Sequence, residues 1–109
     1  MTQEEMATEQ ELAEVAQRLA SAPAEDVIAN HCYGLFELAA LHLSQMPPGL
    51  EKAQLAIDAL ALLVDGLGAR LGQHAAALTE GLSQLRLAYV RISSAAPASD
   101  GQAGPPPEA

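Results

Sequence analysis

Aromatic residues are nearly missing from this chain: there is no tryptophan, and Tyr33, Phe36 and Tyr89 are the only aromatic side chains in 109 residues. Half of the residues are apolar all the same, so a core has to be built from Leu and Ala, with little volume per residue. Cysteine is equally scarce. Cys32 stands alone and excludes an internal disulfide framework. Basic residues number five against 14 acids, a formal net charge of −9, which argues against general polyanion binding. No apolar run approaches the roughly 20 residues needed to cross a bilayer, because Glu37, Asp58 and Asp65 interrupt the candidates. The opening MTQEEMATEQ lacks the basic and apolar blocks of a signal peptide. These features together give the expectation of a cytoplasmic protein with no membrane partner.

Charge is distributed unevenly. Residues 1–20 carry five glutamates (Glu4, Glu5, Glu9, Glu11, Glu14) against Arg18, a net −4. Residues 93–109 add Asp100 and Glu108, and between the ends seven acids face four bases. The excess acid is therefore concentrated in the termini, where it serves solubility.

Apolar periodicity is strongest in LEKAQLAIDALALLVDGLGARL, residues 50–71. Leu50, Ala53, Ile57, Leu60, Val64, Leu67 and Leu71 recur at alternating steps of three and four, the period of a helix packed against other helices. A second row, Leu55, Ala59, Leu62 and Gly66, repeats with the same spacing and falls on the opposite side of that helix. A helix apolar on two sides is covered by protein on both. Two occupants are open for the second row: another helix of the same chain, or a second copy or partner protein.

The rest of the chain gives an all-α domain. Residues 1–8 read as disordered, and residues 9–21 as an accessory acidic helix with Leu12, Val15 and Leu19 on one face. The helical domain spans 22–92, with helices at about 23–45, 49–71 and 75–92 arranged as a small antiparallel three-helix bundle. In the first of these, Pro23 opens the helix, Glu25 and Asp26 suit its positive end, and Ile28, Cys32, Leu35, Phe36, Ala39 and Leu43 form the buried side. Asp26, Asn30, Tyr33, Glu37 and Ser44 lie on the wetter side. Gly34 suggests close approach of a neighbour. Met46-Pro47-Pro48-Gly49 stops the helix, with Gly49 as the next N-cap, and Gly72 reads as the left-handed cap ending the central helix. The last helix buries Leu78, Leu82, Leu85, Tyr89 and Ile92, leaving Leu87 and Val90 off the stripe. Residues 93–109, rich in Pro, Gly, Ser and Ala, read as a disordered tail. About 70 folded residues bury only about 60% of their unfolded surface, a shortage that a second copy would ease.

The candidates for chemistry are His31, Cys32, His42, His74 and the nearby acids. His31 and His42 fall on nearly the same face, but eleven helical residues set them about 16 Å apart, too far to share an ion. Cys32 reads as a small buried apolar residue, His42 as a core-edge histidine with one hydrogen bond, and His74 as a loop or capping residue. Glu37 reads as solvated or paired between helices. Asp58 and Asp65 are about 10 Å apart along the axis and do not make a catalytic carboxylate pair. No phosphate loop, nucleophile elbow or Cys-x-x-Cys motif is present. The expectation is a non-enzymatic interaction or self-association module without cofactor or metal.

The run GLFELAALHLSQMPPGLEKAQLAIDALALLVDGLGARLG, with LTEGLSQLRLAYV after it, resembles the bacterial family numbered 1844 in the domain-of-unknown-function series, in its high-GC Gram-positive branch. The resemblance spans about residues 23–92, and its most telling pieces are LFELAALHLSQ, LAIDAL at 55–60 and QLRLAYV at 84–90. Relatives tend to carry Asn where this chain has Gly49, and Glu-Pro where it has Ala75-Ala76, which affects the caps and not the helices. What the resemblance implies is a helical protein without assigned activity or site residues. Its relatives are often encoded near translation genes. That implies a translation-linked or RNA- and ribosome-associated factor as an alternative, using Arg70, Arg86 and Arg91. A small apolar-ligand carrier is the other alternative, and it requires a cavity.

Overall fold

The structure, a computed structural model, describes residues 2–95. Four α-helices follow in order: α1 (Gln3–Ser21), α2 (Ala24–Leu43), α3 (Leu50–Leu67) and α4 (Ala75–Ala95), with a 3-10 segment (Gly68–His74) between the last two. No strand is present among the described residues. The fold is all-α.

Helix α1 begins six residues earlier than the sequence reading, so residues 3–8 are helical. The cause is a capping box. Thr2 Oγ1 accepts from the Glu5 amide at 3.1 Å, and Glu5 Oε1 accepts from the Thr2 amide at 3.1 Å. Apolar periodicity does not register such a start, because nothing in the first two turns needs burying. Indeed α1 buries no residue at all, and Leu12, Val15 and Leu19 are exposed.

Helices α2, α3 and α4 share one core with the 3-10 segment, and α2 and α3 make its most extensive contact. The core holds no polar residue among the described ones and is small in its side chains: Ala29, Cys32, Ala39 and Leu43 from α2 meet Ala53, Ala56, Ile57, Leu60 and Val64 from α3. Leu71 and then Leu78, Leu82 and Leu85 of α4 complete it, and Phe36, Tyr89 and Ile92 pack on its edge. The inner row read from α3 is thus buried at Ala53, Ile57, Leu60, Val64 and Leu71 and half-buried at Leu50 and Leu67.

On α2 the expected line holds at Cys32, Ala39 and Leu43, which are buried, and at Leu35 and Phe36, which pack half-buried against the core; it differs at the start, where Ala29 is buried and Ile28 is exposed. The two alanines bring the helix close to its neighbours, which turns the bulkier Ile28 to the outside. Gly34 has nothing within 4 Å of where a Cβ would stand, so it marks no close approach. Gly81 marks one instead: a Cβ there would lie 3.0 Å from the Phe36 ring, and the bare backbone of α4 lets that ring sit against it.

The connections set the ends. Gly49 caps α3, its amide donates to the His42 carbonyl at 2.8 Å, and a Cβ on it would come within 3.2 Å of Gln45 Oε1. The α-helical part of α3 ends at Leu67, five residues before the expected cap at Gly72. Gly68 and Gly72 both take positive φ, 52° and 65°, and the first of them stops the helix. Leu71 nevertheless returns to the core from the tight segment between them, and Arg70 is exposed there. Helix α4 continues through Ala95, so residues 93–95 of the expected tail are helical. The rest of that tail, 96–109, lies outside the described residues.

Candidate functional site

The outer row of α3 is one of several exposed apolar stretches among the described residues, beside Leu12, Val15 and Leu19 of α1, Leu38 and Leu41 of α2, and Leu87 and Val90 of α4. Leu55 is 72% and Leu62 77% exposed, Gly66 is exposed and Ala59 half-buried. Leu60, between them in sequence, is fully buried. The two rows therefore meet opposite fates on one helix: the neighbours α2 and α4 take the inner row, and no element of the described chain covers the outer one. Helix α1 does not lie on it as a cover, since α1 buries nothing and makes no extended contact with α3.

An open depression of about 510 Å³ runs over Asp58, Ala61, Leu62, Asp65 and Gly66, where the missing side chain of Gly66 leaves space beside Leu62. A second, of about 210 Å³, continues from Asp58 into the groove between α3 and α4, lined by Gln54, Ile57, Arg86, Tyr89 and Val90. Both are open to solvent along the surface. One rim is polar. Asp65 pairs with Arg86 at 3.7 Å across the α3–α4 groove, and Gln54 donates to Asp58 at 2.7 Å. Both members of the ion pair are more than half exposed, so water screens it.

The residues weighed for chemistry are dispersed. Cys32 is fully buried, and burial pushes its thiol pKa above the ordinary value, which makes it a core residue with little thiolate. His42 Nδ1 meets Gln45 Oε1 at 3.1 Å at the core edge. His31 is exposed, its Nδ1 set on the Val27 carbonyl at 2.9 Å, and Glu37 is exposed. Among the described residues no three His, Cys, Asp or Glu side chains come together as a metal site would require. Arg86 meets Asp65, and Arg91, five residues on, points about 140° away from it.

One polar contact does span the fold. His74 Nε2 lies 2.9 Å from Asp26 Oδ1, and its Nδ1 lies 3.3 Å from the Tyr33 hydroxyl. With the carboxylate ionised, Nε2–H donates to Asp26 and Nδ1 accepts from Tyr33. The chain Asp26–His74–Tyr33 ties the first half of α2 to the end of the 3-10 segment and is partly buried. Residues 41 and 48 positions apart are joined here, which spacing within one helix does not reveal. The one sequence signal was the common face of Asp26 and Tyr33, seven residues apart on α2. The contact fastens the segment to α2.

No protein-family model, curated protein or solved structure matches this chain. The functional reading therefore rests on the surface itself. No described helix is long and apolar enough to cross a membrane.

Proposed function

We propose that this protein is a non-enzymatic protein–protein interaction module, folded as an antiparallel three-helix bundle of α2, α3 and α4, that self-associates through the outer row Leu55, Ala59, Leu62 and Gly66. The single observation that carries the reading is the exposure of Leu55 and Leu62, at 72% and 77%, midway along a helix whose other face is sealed. Isolated exposed leucines are ordinary on a surface. Two of them one heptad apart, with a small residue beside each, form a continuous strip that another helix can lie along. The antiparallel arrangement is supported by the short connections on either side of α3, residues 44–49 and the 3-10 segment. We place the chain in family 1844 on the runs quoted above, a relationship that brings no activity with it.

The test is a pair of charge substitutions on α3. Leu62→Asp should abolish self-association, measured by sedimentation equilibrium, and leave the helical circular dichroism nearly intact. Leu60→Asp should unfold the chain. Equal loss of helix in both variants would make the outer row part of the core and end the proposal.

A further inference from the structure

Helix α1 is folded and capped, yet none of its 19 residues is buried. Helices in proteins draw most of their stability from packing an apolar face, so α1 gains from any surface that covers Leu12, Val15 and Leu19. All three packed helices offer exposed apolar side chains, and charge separates them. Helix α1 carries Glu4, Glu5, Glu9, Glu11 and Glu14 against Arg18. Apart from its histidines, the charged residues of α2 are the acids Glu25, Asp26 and Glu37, and α3 has Glu51, Asp58 and Asp65 against Lys52. Among the described helices α4 alone is basic, with Arg86 and Arg91 against Glu80. The two arginines stand about 140° apart with the exposed Leu87 and Val90 between them. On α1, Glu11 and Glu9 stand about 160° apart with Leu12, Val15 and Leu19 between them. We propose that α1 is a strap that turns about Ala22–Pro23 and closes, antiparallel, on the outer face of α4 in its own chain, a movement that leaves the outer row of α3 free.

The hinge is in the right place. Ala22 and Pro23, both extended, are all that separates α1 from α2, and a link of two residues suffices to join antiparallel helices. It stands beside the start of α4: a Cβ on Gly72 would lie 3.4 Å from Glu25 Cγ, and Asp26 bonds to His74, the residue before α4 begins. Levels along the two helices then agree. Glu11 lies eleven residues before Ala22 and Arg86 eleven after Ala75, each about 16 Å out. Arg91, about 24 Å out, falls between Glu9 at about 20 Å and Glu5 at about 26 Å. Thr8 comes level with Val90, and Leu12 lies within one turn of Leu87. Nearer the hinge α4 presents Ala76, Thr79 and Ser83, small residues against which Val15 and Leu19 can lie.

Antiparallel packing brings Glu11 to the Arg86 flank and Glu9 to the Arg91 flank, so the apolar strips meet with opposite charges on both sides. Arg86 meets Asp65 at 3.7 Å in an exposed pair and stays within reach of Glu11. The short tether gives the chain's own α1 a high local concentration at α4, which favours it over the α1 of a second copy. Closing covers Arg86 and Val90, which line the groove between α3 and α4, and withdraws that groove from any partner.

Disulfide trapping in the full chain reads the closed state. Thr8→Cys/Val90→Cys is oxidised with copper-phenanthroline at about 1 μM, beside Thr8→Cys/Leu41→Cys and Thr8→Cys/Leu62→Cys, which probe α2 and α3; the native Cys32 is buried. An 8–90 disulfide within one chain should form at least about tenfold faster than 8–41 or 8–62. Adding Arg86→Glu/Arg91→Glu should slow it at least about tenfold, and Glu9→Arg/Glu11→Arg in the same chain should restore it. Absence of the 8–90 disulfide, or equal rates for the three pairs, would overturn the strap. An 8–90 disulfide that joins two chains would overturn closure within one chain and assign α1 to a second copy. A loss that the reversed charges do not restore would overturn the match to α4. Each of these outcomes leaves the Leu62 test of self-association unaffected.

Discussion

Leu60 and Leu62 allow one chemical change to be made on both faces of one helix, two residues apart. Leu60 is 0% exposed and lies where α2 and α4 meet α3, so Leu60→Ala leaves a cavity that the neighbours only partly close. Such truncations cost about 2–5 kcal/mol. At about 0.05–0.15 kcal/mol per residue, the roughly 70-residue packed part has about 4–11 kcal/mol to lose. Leu60→Ala therefore removes a large share of the stability and unfolds a chain at the low end of that range. Leu62 is 77% exposed, and Leu62→Ala should change monomer stability by no more than about 0.5 kcal/mol. Its cost falls on association. A dimer that buries both copies of Leu62 loses about 1–2 kcal/mol at each, or about 2–4 kcal/mol, a rise in dissociation constant of roughly 30- to 700-fold. Urea unfolding followed by circular dichroism, at a concentration well below the dissociation constant, reads the first quantity. Sedimentation equilibrium reads the second. A midpoint shift as large for Leu62→Ala as for Leu60→Ala would refute the division into an inner and an outer face. An unchanged dissociation constant would refute the role of Leu62.

Three further outcomes are expected. Gly34→Ala should stabilise the chain by about 0.5–1 kcal/mol, because the position is helical and unobstructed, and Gly81→Ala should gain less or lose, because the new Cβ meets Phe36 at 3.0 Å; thermal melts of the two variants decide it. Cys32 should resist iodoacetamide in the native state and react on unfolding; because its folded pKa is raised, the stabilisation is intact below the unfolded thiol value of about 8.5 and declines as pH rises above it, a slope that Cys32→Ala should flatten in alkaline urea titrations. His74→Ala removes the partner of both Asp26 and Tyr33 and should cost about 1–2 kcal/mol by urea unfolding, while His31→Ala, whose ring meets only the Val27 carbonyl on its own helix, should cost little.

What the sequence discloses and what it hides follow from how each feature is encoded. The inner row of α3 and the stripe of α4 are written as repeats of three and four, and burial at Ile57, Leu60, Val64, Leu78, Leu82 and Leu85 follows them. Features that depend on which neighbour arrives are less visible. The buried side of α2 was legible at Cys32, Ala39 and Leu43 but not at its start, because alanine is a weak marker of an inward face and Ala29 was outweighed by Ile28. Gly34 and Gly81 look alike in sequence, and only the approach of Phe36 distinguishes them. Gly72 was read as the end of α3 because apolar periodicity runs on to Leu71; the helix stops at Gly68, and both glycines take positive φ. The start of α1 was available in Thr2-Gln3-Glu4-Glu5, a capping signature with no apolar residue in it. The Asp26–His74–Tyr33 contact was not, since it requires the chain to fold back across α3. The candidate surface was legible as a second apolar row, and whether the chain covers that row itself was a question only the packing answers.

Self-association is the central claim, and the most direct measurement is the mass of the full chain by light scattering coupled to size exclusion, from about 1 to 100 μM, with Leu62→Asp run alongside. A small interface, offset by an association cost of at least about 4 kcal/mol, puts the transition within or near that range. The expected result is a mass that rises from one chain toward two with concentration, and a variant that stays at one chain throughout. A wild-type mass of one chain across the whole range, identical to that of the variant, would contradict it.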